Sequence, residues 1–273
     1  MFGRRPDGQL VRDAAPIRRF LPFVSPRRSE ALVYLEQKVN VDAALALVEA
    51  LNADRPPEAG RITLFHLVLR ALAQMLADRP RVNRFVAGDR LWQRDGVWLS
   101  FSAKQQFSEQ APILTLKRRF EPDEPLVAMA DDVLRRLGVG RSGEKSTSDK
   151  EMGLLLRLPP FLVRFVMGAA RLADRLGVLP RSMIDSDPLY ASAFVANLGS
   201  LGIERAFHHL WEWGNCPIFL VMGRITPGPT GQELMLCWSY DERIADGFYA
   251  MTGLSRVKLL LEEPERLLGT TPG

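Results

Sequence analysis

Ser239, Tyr240, Asp241, Glu242, Arg243, Ile244, Ala245, Asp246, Gly247 and Phe248 form the stretch from which the rest of the chain can be read. The apolar run Leu234 to Trp238 before it reads as a strand, and the pattern from Phe248 to Leu261 after it has helical spacing. The stretch is thus a charged strand-to-helix turn. Asp246 stands where the helix begins, a place at which the helix dipole favours a carboxylate, and Gly247 permits close packing there.

Working outward, Ala191 to Asn197 reads as a strand that runs into the turn Leu198-Gly199-Ser200-Leu201-Gly202. Cys216 to Ile225 is a continuous apolar strand, and Pro227 to Gly231 turns it into the strand Glu233 to Trp238. Nearer the start, Val33, Leu35, Val39 and Val41 alternate with Tyr34, Glu36, Lys38 and Asn40, the period of a half-buried strand. Asp42 opens a helix to Asn52, and the Pro- and Gly-rich segment Arg55 to Gly60 ends it. Thr63 caps the next helix, in which Leu64, Leu67, Val68, Ala71, Leu72 and Met75 recur at helical spacing until Arg79 and Pro80. Phe85 to Ala87, Leu91 to Gln93 and Val97 to Ala103 read as short strands, the last two joined by an Asp95-Gly96 turn. Ile113 to Phe120 is a further strand and Asp123 to Leu137 a further helix, and the polar segment 138–150 is expected to be a mobile loop.

Residues 151–190 are the least ordinary part, an apolar helical insertion. From Phe161 to Gly177 the charges Arg164, Arg171, Asp174 and Arg175 fall within about 100° of the helix circumference, leaving the rest apolar. Such a helix is too greasy for the surface of one monomer. Subunit contact through Phe161, Phe165, Val166 and Leu172 is the first reading, and a membrane surface the second.

The 273 residues, 47% apolar and 25% charged, have globular composition and can bury a full core. Residues 1–30 carry seven arginines against Asp7, Asp13 and Glu30, an excess equal to the whole net charge of +4. The basic N-terminal arm is read as docked on protein, since it lacks the aromatic interleaving of nucleic-acid modules. Cys216 and Cys237 have neither a disulfide framework nor metal-ligand spacing, which fits a reducing cytoplasm, and no metal site is expected. No signal peptide and no run of roughly 18 apolar residues suggests export or a membrane span. Residues 31–268 are read as one domain with a short tail at 269–273.

Strands and helices mixed without regular alternation favour an α+β layered fold. Four segments make this sharper: Ile17-Arg18-Arg19-Phe20; the helix from Thr63 with Pro80-Arg81-Val82-Asn83; Asn197-Leu198-Gly199 with Gly202; and Glu242 to Gly247. Together and in this order the chain resembles the catalytic core of the 2-oxo acid dehydrogenase dihydrolipoamide acyltransferases, in the chloramphenicol acetyltransferase-like superfamily. The resemblance covers roughly residues 16–268 and implies a two-layer fold with a mixed sheet that forms trimers, in which the active channel lies between two subunits. No stretch resembles the lipoyl or subunit-binding modules of ordinary members, so no swinging arm is expected in cis.

The family's signature is His-x-x-x-Asp-Gly, and the histidine is its base. A Ser or Thr just before the Asn-x-Gly turn donates to the oxyanion. Here those positions are Glu242 and Ala196. A carboxylate, ordinarily near about 4.3 against about 8.5 for a thiol, is a poor base for a thiol, and a methyl group donates nothing. Such losses are worth roughly 10² to 10⁴ for a base and about 10² to 10³ for an oxyanion donor. Asn197, Asp246 and Gly247 keep the structural half of the signature. The resemblance pairs Asp246 with an arginine of the arm, Arg18 or Arg19, and uses the C-terminal knob, Leu267 and Leu268, between trimers.

His66 reads as a packed or surface residue of its helix, whereas His208 and His209, beside Phe207, Trp211 and Trp213, are the alternative bases. The leading expectation is a homo-oligomer, a trimer or a cage of trimers, without catalysis. The alternative is a coenzyme A-dependent acyltransferase using Glu242, His208 or His209, with coenzyme A or acyl-CoA bound if the channel is open.

Overall fold

The alternation in the strands decides which side chains go to which layer. The computed structural model describes residues 4–104, 113–141, 153 and 155–268. In chain order the elements are β1 (Arg4–Arg5), β2 (Gly8–Leu10), α1 (Pro16–Val24), β3 (Leu32–Asn40), α2 (Asp42–Ala53) and α3 (Leu64–Asp78). Then come β4 (Arg84–Ala87), β5 (Arg90–Arg94), β6 (Val97–Lys104), β7 (Ile113–Phe120), α4 (Leu126–Arg141), α5 (Pro160–Leu176) and α6 (Arg181–Ser186). β8 (Ala193–Asn197), β9 (Ile218–Gly228), β10 (Gly231–Asp241) and α7 (Gly247–Glu262) complete the chain.

Six strands form a sheet in the order β3-β10-β9-β8-β6-β7. β8 runs parallel to both β6 and β9, and the other pairs are antiparallel, so the sheet is mixed. With a side-chain period of two, Leu234, Leu236, Trp238 and Tyr240 of β10 point to one face, where the main core forms with α2, α3, α4 and α7. Met235 and Cys237 point to the other face, together with Phe219 and Val221 of β9 and Phe194 and Ala196 of β8. The segment after β8 folds back over that second face and packs Leu198, Ala206 and Leu210 against it. The fold is therefore α+β in layers, as expected.

A smaller sheet, β1-β2-β5-β4, takes in the start of the chain. Arg5 and Arg94 are buried in this region and Asp7 is half-buried: Arg5 bonds Asp7 and Asp174, and Arg94 donates to Asn215 Oδ1 at 2.7 Å. Burial pushes the Arg94 guanidinium down to about 10.

Three boundaries differ from the sequence reading. The Asp95-Gly96 turn does not close a hairpin: β5 pairs with β4 and β2, β6 with β7 and β8, and the turn passes the chain between sheets. The hairpin is β4–β5, whose Gly88 and Asp89 have φ of 57° and 58°, the left-handed pair that matches strand twist. α4 starts at Leu126, just after Pro125, and continues to Arg141 into the expected loop 138–150; positions 142–150 lie outside the described residues. Leu267, expected as an oligomer knob, is 0% exposed and belongs to the main core, whereas Leu268 remains exposed.

α3 is capped by an exchange in which the Thr63 amide donates to His66 Nδ1 at 3.0 Å. His66 is 2% exposed, and burial drives its imidazole down from 6.5 to about 4. Between those values the unfolded chain binds a proton that the folded chain refuses. Stability from neutral His66 is thus fully present above about pH 6.5 and falls away toward pH 4, by about 3 kcal/mol in all. His66→Gln keeps a side-chain acceptor at the capping position and removes the titration. On moving from pH 7 to pH 4.5, urea unfolding of the unsubstituted chain should lose about 2.5 kcal/mol more than that of the variant; equal losses would refute this assignment.

Candidate functional site

β10 ends in the signature turn, and its period sets Asp241 on the same side as Cys237 and Ser239. Asp241 is fully buried, with Arg243 and Arg28 beside it. Arg243 Nε donates to Asp241 Oδ1 at 2.8 Å and Nη2 to Oδ2 at 2.7 Å, while Nη1 reaches the Ser25 and Pro26 carbonyls. Arg28 Nε lies 3.9 Å from Asp241, and its two Nη groups donate to the Trp211 and Gly214 carbonyls. Glu212 accepts from the Ser29 and Arg28 amides at 2.9 and 3.2 Å. Burial pushes the Glu212 carboxyl up, but the bonds from Ser29 and Arg28 outweigh it and hold the group below its ordinary range. This network ties the turn to residues 25–29 and to the 211–214 loop. Sequence reasoning missed it. The Asp-x-Arg spacing at a strand end was the available signal, but nothing local told that Arg28 and the 211–214 carbonyls would arrive there.

The retained signature residues are placed as follows. Asp246 is the N-cap of α7 and accepts from the Tyr249 amide at 2.8 Å. The expected ion pair with Arg18 or Arg19 is not formed among the described residues. Arg18 Nη1 instead donates to the Glu242 and Ala245 carbonyls at 2.6 and 3.1 Å. The physical reason is that the Asp246 carboxylate is turned back to the orphan amides of its own helix, and the turn's carbonyls are left to the arginine. Glu242 is exposed and its carboxylate makes no hydrogen bond or ion pair among the described residues. Asn197 accepts from the Ser200 amide, and Gly199 lies close against the backbone of β9.

Ala196 sits mid-sheet, paired with Ser102 and Val221, and β9 lies between its strand and the one that leads to Glu242. Its methyl is 7% exposed, in the apolar cluster with Leu210, Phe219 and Val221. The 206–210 segment roofs this face: Phe207 packs edge-on to Tyr34 at 5.1 Å, and His208 stacks on Phe219 at 4.2 Å, with Phe219 in turn stacked on Phe194. His208 is half-buried and His209 exposed. The structure thus brings His208 to the face that carries Ala196, with His209 stacked on His208 at 4.5 Å, and leaves Glu242 outside that stack. Burial raises the Cys237 and Cys216 thiols, which keeps both as packed hydrophobes.

A cleft of about 610 Å³ opens beside the signature turn, between α5, the β4–β5 hairpin and the 212–214 loop. Arg28, Arg243 and Arg175 on its walls are already engaged by carbonyls or carboxylates. Among the described residues no group of three or more His, Cys, Asp or Glu is placed to hold a metal ion. Among them, too, no helix is long and apolar enough to cross a membrane.

No family model matches the chain, and no curated protein matches it by sequence. Solved structures do. A probable dihydrolipoamide acetyltransferase of Listeria monocytogenes is similar at a TM-score of 0.62 and 16% identity, over 94% of this chain and 95% of that one. The dihydrolipoamide acetyltransferase of Azotobacter vinelandii gives a TM-score of 0.62 at 17% identity, over 94% of each chain. A chloramphenicol acetyltransferase gives 0.57 at 13% identity, over 96% of this chain and 99% of that one. Mixed sheet, one-sided helical layer and near-complete overlap lead to one conclusion: the chain has the fold of the dihydrolipoamide acyltransferase catalytic cores and of chloramphenicol acetyltransferase.

Proposed function

We propose that this chain is a homotrimeric assembly protein built on an acyltransferase core, able to extend into a cage of trimers, that no longer transfers acyl groups. The observation that carries the reading is the closed environment of Ala196. Where the resemblance calls for a hydroxyl facing a channel, there is a methyl group packed among Leu210, Phe219 and Val221 under the chain's own loop. The second required group is also changed, since the position is filled by Glu242, an exposed carboxylate with no hydrogen bond or ion pair among the described residues.

Assembly is supported by apolar surface that one copy leaves uncovered. α1 exposes Ile17, Phe20, Phe23 and Val24 along one side, and Phe248, beside the signature turn, is 85% exposed. Burying four to five such side chains between copies is worth about 1.5–3 kcal/mol each before association costs. The free, buried Cys216 and Cys237 suit a reducing cytoplasm.

Sedimentation at micromolar concentration should give a species of three times 30.7 kDa or a multiple of it. A monomer that persists at all concentrations would sink the assembly reading. Release of free thiol from acetyl-CoA with dihydrolipoamide should stay at background, and coenzyme A should leave the melting temperature unchanged.

One observation favours a second reading, in which a coenzyme A-dependent acyltransferase uses a reassigned base. His208 is half-buried, lies over the face of Ala196 and is held by Phe219. Thiol release above background that disappears in His208→Ala and survives in His209→Ala and Glu242→Gln would establish it in place of the first.

A further inference from the structure

Among the described residues, α5 packs against the rest of the chain along one edge. Val163, Met167, Ala170 and Asp174 are half-buried on that edge, and Ala170 packs toward Leu179, Ile184 and Tyr190. At about 100° per residue the charged arc of Arg164, Arg171 and Arg175 comes next around the helix, followed by a row of large apolar side chains. Phe161, Phe165, Leu172 and Leu176 form that row and are 68%, 74%, 57% and 67% exposed. Leu156 before the helix and Val178 after it are likewise exposed, at 75% and 63%.

The charges on this helix are unequal in what they have to meet. Asp174, its one acid, is turned to the body and bonded to Arg5 at 2.5 Å. Arg175 is held by Asp89. Arg164 and Arg171, and Arg157 just before the helix, make no ion pair among the described residues. The surface on offer is therefore a row of phenylalanine and leucine side chains bordered by cations that form no ion pair among the described residues.

We propose that this face of α5 docks on an anionic lipid surface, with the helix lying in the plane of the interface. Large apolar residues on one side and arginines on the adjoining side are what an in-plane interfacial helix needs. The rings enter the acyl boundary while the guanidinium groups snorkel to the lipid phosphates. A second copy of the chain meets only half of this requirement. A two-fold contact through the row brings Arg164 and Arg171 toward their own counterparts, with no other acid on the helix to oppose them, and like charges across an interface are disfavoured; a contact within a trimer joins different patches, and the sedimentation outcome below separates that case from a lipid surface. Of the two occupants that the sequence allows for Phe161, Phe165, Val166 and Leu172, the proposal thus takes the lipid surface and not the subunit contact. The proposal does not rest on the loss of acyl transfer or on the trimer.

The test uses the full chain and two kinds of vesicle, phosphatidylcholine alone and phosphatidylcholine with phosphatidylglycerol, in a flotation assay. The chain should float with the anionic vesicles, more weakly but measurably at high salt, because salt screens the arginines and not the rings. Phe161→Ser with Phe165→Ser should lower the partition at least tenfold at every salt concentration. Arg164→Glu with Arg171→Glu should lower it at least tenfold at low salt only. All four positions are exposed, so both variants should keep the melting temperature of the parent. Absence of flotation by the parent chain, or unchanged flotation of the phenylalanine variant, overturns the proposal. A sedimenting mass that drops in the phenylalanine variant also overturns it, since the face then belongs to a second copy.

Discussion

Replacing Asp241 by alanine is expected to destabilise the chain by about 3–5 kcal/mol, the usual cost of leaving a buried charge without its partner. Two guanidinium groups lose the counter-ion that they share, since Arg243 and Arg28 are 2% and 6% exposed and both face this carboxylate. The neighbouring bonds are carbonyl acceptors, at Ser25, Pro26, Trp211 and Gly214, and they do not neutralise charge. For a domain of this size the melting temperature should fall by roughly 10 °C or more. Asp241→Asn keeps the shape and some acceptor capacity, so it should fall less. A thermal melt of Asp241→Ala within a degree or two of the parent would show that the network carries no stability. Because the same network fastens residues 25–29 and 211–214, the variant should also expose those segments to proteolysis before the sheet opens.

Gly199→Ala should be nearly as costly, for a steric reason. A β-carbon built on Gly199 would collide with the carbonyl oxygen of Gly223 and come within 2.7 Å of the Arg224 amide nitrogen. Both obstacles are backbone of β9, which cannot move aside as a side chain can. The turn is also bonded to that strand, Leu198 to the Met222 carbonyl at 3.0 Å and Arg224 to the Ile203 carbonyl at 2.9 Å. Forcing them apart strains both bonds, and the expected loss is about 3 kcal/mol, at the upper end for overpacking. Gly202→Ala provides the contrast. Gly202 has φ of +80° but open space around it, so only backbone strain of about 1 kcal/mol is expected. Urea midpoints that rank the two variants equally would rule out the close approach as the reason for glycine in this turn.

Much of the sheet was legible because its strands alternate or run apolar and its turns carry Gly and Pro, which are local signals. The Asp95-Gly96 turn shows where that stops: a turn dipeptide marks a reversal but does not name the strands that pair across it. Leu267 misled for a similar reason. An apolar pair near a chain end looks like a knob until the helices around it are placed, and the fold turns Leu267 inward and Leu268 outward.

By itself the sequence determined the layered α+β class, the start of α7 at Asp246 and the presence of Ala196 and Glu242 at the two positions that the resemblance marks as reactive. Each of these depends on residue type and spacing along a few turns of chain. Only the tertiary structure decided that Ala196 is roofed by the 206–210 segment, that Asp241 is the buried acid of the turn, and that Arg18 serves carbonyls and not Asp246. Those outcomes depend on groups nearly 200 residues or more apart for Arg28 with Trp211 and Arg18 with Glu242, and the free energy of such contacts is set by burial and by competing partners, neither of which is written locally.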